Sequence, residues 1–284
     1  MKETKNILND VRESVSQILG DAYMVEYSSQ NGYNHEKQYI VVRKHGEGAS
    51  PAFDIAPFIR DGWTVPEIAG FICKTVRDMP TQHAPSIDRE YILGHVIPQI
   101  VGREGNSRYL EDKVSVPFLD MEVIFRVLVS MGDTDGSIVI TQDMAGTFML
   151  GQNELFAAAK ENIHATISDL RGIVEEISGG TGLTDTSPIP LTLVISNDNH
   201  PYGASAILDR EVIHKASRML GGDMLILPSS IHELIASPCV PGTCYADFKG
   251  MVAEVNDKVV RPEERLTGSV YLYDSKADEI RVVA

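Results

Sequence analysis

Nowhere in the 284 residues does an apolar run approach the roughly 20 residues a helix needs to cross a bilayer. The longest runs, such as Met224-Leu225-Ile226-Leu227, suit buried strands. The first 20 residues, MKETKNILNDVRESVSQILG, lack a signal-peptide core and carry Glu3, Asp10 and Glu13. Cysteine is scarce. Cys73, Cys239 and Cys244 give no disulfide framework, and a cytoplasmic location is expected. A dense basic run is also missing. The formal net charge is -15, with 40 acidic against 25 basic side chains, and the excess is spread along the chain rather than held in a tail. A phosphate backbone would meet net repulsion, so no direct nucleic-acid binding and no membrane association are expected. No Gly/Ser-rich or Pro-rich linker divides the sequence.

What is present fits a folded globule: 43% hydrophobic and 23% charged residues. The length suits one large domain or two ordinary ones. The division expected is an N-terminal α+β region over 1–115 and a C-terminal α+β domain over 116–284, or one continuous globule.

Ile7, Leu8, Val11, Val15, Ile18 and Leu19 recur at helical spacing and predict a surface helix over 5–19. Strand-like runs at Tyr23–Tyr27 and Gln38–Arg43 flank a polar stretch with Asn31-Gly32, a hairpin signal. Thr64-x-x-Glu67 has capping-box spacing and opens a helix lined by Ile68, Phe71, Ile72 and Val76. Cys73 borders that face and reads as structural. A helix over 87–100 is predicted next, bent or ended by Pro98. Residues 121–131 are apolar enough for a helix or a buried strand, and periodicity leaves both open.

Gly132 to Gly136 predicts a turn and Ser137 to Thr141 a strand. Helix 153–165 follows, and 166–178 extends or breaks from it. A second cycle runs from LTLVIS through a polar loop to a short strand, ASAIL. A helix over 210–220 comes next, capped by Asp209 and ended by Gly221-Gly222. DMLIL is a strand, 244–257 a helix, and 268–273 with 279–283 a closing hairpin. Segments 138–163 and 193–220 share one grammar, which suggests repeated strand-strand-helix units. The fold class expected is α+β, with antiparallel or mixed sheets flanked by helices.

Ser229, Ser230, His232 and Glu233 invite a hydrolase reading, with His214 or His200 as a distant base. Helical residues two apart do not face each other, and no Gly-x-Ser-x-Gly elbow is present. Ser230-x-x-Glu233 has capping-box spacing after a buried strand, which predicts a helix start before Leu234-Ile235. Glu211 and His214, three apart, would supply metal ligands if His232 and Glu233 met them across the sheet. No paired metal-ligand motif accompanies them, so no metal and no cofactor are expected. Asp133-Thr134-Asp135-Gly136 resembles the start of a calcium loop, but the twelfth position is Met144 rather than glutamate. Asn197, Asp198, His200 and Tyr202 form a polar loop able to bind a ligand, with turn formation the plainer reading.

GGDMLILPSSIHELI, joined to LVISNDNHPYGAS upstream and MVAEVNDKVVRPEERLTGSVYLYD downstream, is distinctive. With SIVITQDMAG and NELFAAAKENI ahead of it, this ordered set resembles an uncharacterised bacterial family, the domain of unknown function number 5688. The likeness covers nearly the whole chain and is strongest over 120–275. Leu227, Pro228, Ser229, Ser230, Ile231, His232 and Glu233 match the family's core. Where relatives often carry a tryptophan, this sequence has Phe148 or a neighbour. The resemblance implies one family-wide unit and no catalytic assignment.

The reading that results is a non-catalytic module for a protein partner or a small ligand. The alternatives are a hydrolase-like enzyme using Ser230 with His214 or His232, and an acidic mimic of nucleic acid.

Overall fold

The computed structural model describes residues 2–46, 50–78, 86–131, 134–170, 172, 191–197, 202–228 and 230–284. The chain divides into two compact units: Met1–Ser86 with Ser130–Gly136, and Ile87–Val129 with Ser137–Ala284.

In the first unit, helix α1 (Lys2–Leu19) buries Leu8, Val11 and Val15, which recur every three or four residues. They meet Ile40 and Val42 of the antiparallel sheet β1 (Tyr23–Asn31), β2 (Glu36–Lys44) and β3 (Ala52–Asp54). The β1–β2 hairpin extends beyond the apolar runs into polar sequence, because ladder bonds are made by the backbone. Its loop is Gly32–His35, with Asn34 at φ 60, rather than a two-residue Asn-Gly turn. Helix α2 (Ala56–Arg60) leads to α3 (Val65–Asp78), which adds Ile68, Ala69, Ile72 and Cys73 to the core. Burial pushes the Cys73 thiol pKa up, as suits a structural cysteine. Only the glutamate half of the predicted capping box forms as expected. Both the Thr64 amide and hydroxyl donate to the Glu67 carboxylate, at 2.8 and 2.6 Å. Phe71, expected on the core face, instead stays 40% exposed and meets the Phe58 ring at a tilt and the Trp63 ring edge-on.

The second unit opens with α4 (Arg89–His95), capped by the Asp88 carboxylate. The predicted helix ends there. Residues 96–102 form a fully buried strand, β4 (Val96–Gly102), and Pro98 lies within it. Being the outer strand of its sheet, β4 is where a missing amide donor is tolerated. After α5 (Ser107–Leu110) come β5 (Ser115–Phe118), β6 (Met121–Met131) and β7 (Thr134–Val139), the last two running into the Ser130–Gly136 piece that belongs to the first unit. Residues 121–131 are thus a strand: β6 pairs β4, β5 and β7. β7 begins inside the stretch expected to be a turn. Thr141 does not extend the strand; its hydroxyl caps α6 (Gln142–Thr147). Helix α7 (Gln152–Glu161) buries Leu155 and Ala159.

A six-stranded sheet completes the unit, in the order β13-β12-β10-β11-β9-β8. β8 (Ala165–Asp169) occupies part of the span expected as helix 166–178; Ile167 pairs with Ile195 of β9 (Leu193–Asn197). ASAIL is not a strand but part of a buried 3-10 turn, Gly203–Leu208. Gly203 has no room for a Cβ, which would sit 2.2 Å from the His232 carbonyl oxygen and 2.6 Å from the Asn197 nitrogen. Helix α8 (Arg210–Leu220) is capped by Asp209, whose carboxylate accepts from the Glu211 and Val212 amides. β10 (Met224–Pro228) and β11 (Leu234–Pro238) form a hairpin, so no helix starts at Leu234. Helix α9 (Tyr245–Lys258) precedes the hairpin of β12 (Tyr271–Asp274) and β13 (Glu279–Val282). The registered pairings of both units are antiparallel, and helices flank the sheets.

Asp120 joins the two sheets of the second unit. It lies in the two-residue β5–β6 turn beside Leu119, whose φ of 54 is unusual for a branched side chain. Its carboxylate accepts from the Tyr271 hydroxyl at 2.6 Å, Ser269 at 2.7 Å and Thr267 at 3.2 Å.

Candidate functional site

Helix α8 carries the side chains that define the site. Its buried face holds Ile213, Ala216 and Ser217. The period of 3.6 then lines up Arg210, His214 and Arg218, spaced by four, along its flank. The helix ends in a Schellman arrangement. Gly221 is left-handed at φ 86, its amide donating to Arg218, and the Gly222 amide reaches back to Ser217 at 2.9 Å. Facing α8 is the β12–β13 loop. Asp274 accepts from the Lys276 and Ala277 amides, and Asp278 closes the loop at φ 55.

This places Asp278 against three donors. Its Oδ1 accepts from His214 Nε2 at 2.7 Å and from the Tyr273 hydroxyl at 3.0 Å; its Oδ2 lies 3.4 Å from Arg210. The bonds from His214 and Tyr273 hold the Asp278 pKa below the usual carboxylate range. Burial, then the bond to Asp278, pushes the Tyr273 phenol up. Next to them, Asp223 Oδ1 accepts the Ser275 amide at 2.9 Å and hydroxyl at 2.6 Å, which lowers its pKa. An open depression of about 650 Å3 lies here, lined by His214, Ser217, Arg218, Tyr273, Ser275 and Asp278 among others.

The residues expected from the sequence fall into two groups. His214 belongs to the Asp278 cluster. Tyr202, Asn197, Ser230 and His232 gather elsewhere in the second unit, around the β10–β11 loop and the 3-10 turn. The Tyr202 ring centre lies 6.4 Å from that of His232, and the Arg126 guanidinium lies 5.0 Å from the Tyr202 ring centre. His232 Nε2 is 3.7 Å from Glu264. Asn197 is buried at the end of β9. Ser230 is buried too, and its hydroxyl accepts the His232 amide at 3.0 Å; its own amide donates to the Glu233 carbonyl. The hydroxyl therefore closes a turn instead of capping a helix through Glu233. Ser229, Asp198 and His200 lie outside the described residues.

Asp278, Tyr273, Arg210 and Arg218 were not singled out from the sequence. The Arg210-His214-Arg218 spacing was a visible signal for the helix half of the site; nothing local announced that the DSKAD loop would meet it. Among the described residues, no group of three or more His, Cys, Asp or Glu is arranged to hold a metal ion, and no helix is long and apolar enough to cross a membrane.

Over residues 4–275 the chain matches a family of unknown function, DUF5688, and it belongs to that family. No curated protein and no solved structure matched it.

Proposed function

We propose that this member of DUF5688 is a non-catalytic cytoplasmic module that binds a small ligand in the depression beside α8. The observation that carries this is a polar surface held in place before any ligand arrives. Asp278 fixes His214 and Tyr273, Asp223 fixes Ser275, and the depression of about 650 Å3 is within the usual range for ligand sites. The hydroxyls at hand are already occupied: Ser217 donates to the Gly222 carbonyl and Ser275 to Asp223. The hydrolase alternative gains little support from a Ser230 hydroxyl that is buried and turned to the His232 amide. The protein-partner reading has one feature in its favour, the exposed Met251 and Val255 on α9 with Val259 beyond them.

The test is retention of small molecules. The protein is mixed with a bacterial metabolite extract and ultrafiltered, and the retained molecules are identified by mass spectrometry. One or a few compounds should be enriched, and Ser275→Trp, which fills the depression from a surface loop, should release them. No enrichment, or equal enrichment by the folded variant, would refute the reading.

A further inference from the structure

We propose that the ligand of the α8 depression is a small anion, a carboxylate or phosphate group held by the Arg218 guanidinium; this rests on the small-ligand reading above. Donors and acceptors there are unequally used. On the acceptor side, Asp278 Oδ1 takes two hydrogen bonds and its Oδ2 faces Arg210, while Asp223 Oδ1 takes two from Ser275. The carbonyls of Ser217, Arg218 and Gly222 also each accept one. On the donor side, Arg218 lines the depression and makes no ion pair among the described residues. The Nε2 of His214 is committed to Asp278, which leaves Arg218 as the donor for an incoming group. A ligand that pairs with Arg218 must bring acceptors.

Charge agrees with this. The C-terminal end of α8 carries a partial negative charge that opposes an anion, but a guanidinium carries a full positive one and forks onto two oxygens. Arg210 already offsets Asp278, so Arg218 is not needed to neutralise it. Carboxylate and phosphate share the planar or three-fold oxygen edge that such a fork reads.

The experiment uses 15N-labelled full-length protein. Inorganic phosphate and acetate are titrated separately at constant ionic strength set with chloride, following backbone amides and arginine Nε–H signals. Saturable shifts at Arg218, Gly221, Gly222 and Ser275 are expected. Arg218→Gln should weaken them about tenfold or more. Arg108→Gln, at an exposed site on α5, should leave them unchanged. Stronger phosphate binding identifies a phosphoryl head group, and stronger acetate binding a carboxylate. Equal weakening by both variants, or shifts that never saturate, would mean a general salt effect and overturn the proposal. Glucose and spermidine serve as neutral and cationic probes. If either shifts these residues while both anions fail, the small-ligand reading stands and the anion assignment falls. If no probe shifts them, both fall.

Discussion

Tyr271→Phe tests how Asp120 couples the two sheets of the second unit. Tyr271 is 0% exposed, and its hydroxyl donates to Asp120 at 2.6 Å. A hydrogen bond to a charged group contributes about 1.5–3 kcal/mol. Asp120 keeps Ser269 and Thr267 as donors and is only half-buried, so water replaces part of the loss. The expected cost at pH 7 is therefore in the lower half, about 1.5–2 kcal/mol.

The pH dependence separates this from a simple packing defect. Burial first, then Asp120, raises the Tyr271 pKa well above the ordinary phenol value of 10.0. A raised folded-state pKa contributes stability that is complete below the unfolded value and is lost as pH rises from there towards the folded one. The wild type should thus lose about 1.4 kcal/mol per pH unit through this residue above pH ~10, and the variant should not. The two stabilities should converge near pH ~11. Amide exchange at Leu272 and Tyr273 gives the local readout at pH 7, and urea midpoints from far-ultraviolet ellipticity give the pH series. A loss under about 0.5 kcal/mol with parallel alkaline limbs would refute the coupling.

Gly203→Ala should destabilise by about 1–3 kcal/mol or more, since the new methyl meets backbone atoms of His232 and Asn197 that cannot move cheaply; a thermal midpoint within a degree of wild type would contradict the close packing. Asp209→Ala removes the acceptor of two α8 amides and should cost about 0.5–2 kcal/mol, read from urea midpoints. Asp278→Asn should flatten part of the acid limb of stability. A depressed carboxylate pKa contributes above the unfolded value, near 3.8, and is lost as pH falls through the folded one. Identical acid limbs for wild type and variant would count against the His214 and Tyr273 bonds.

Sequence alone determined the elements whose signals are local. The α1 stripe of Leu8, Val11 and Val15, the Asp209 cap and the Gly221-Gly222 stop of α8 all act within a few residues, so their spacing is enough. Tertiary structure decided the cases where local signals are degenerate. An apolar run such as 121–131 buries equally well as helix or strand, and only pairing with β4 and β5 selects strand. Val96 and Ile100 continue the helical spacing predicted over 87–100, yet both lie in the β4 ladder. Ser230-x-x-Glu233 has the spacing of a cap, but β11 takes the next residues into the sheet and leaves the hydroxyl to close a turn. The candidate site shows the same limit. Arg210, His214 and Arg218 were placed on one flank by the helical repeat. Asp278 reaches them from 64 residues beyond His214, across a sheet whose order follows from long-range pairing that no local spacing encodes.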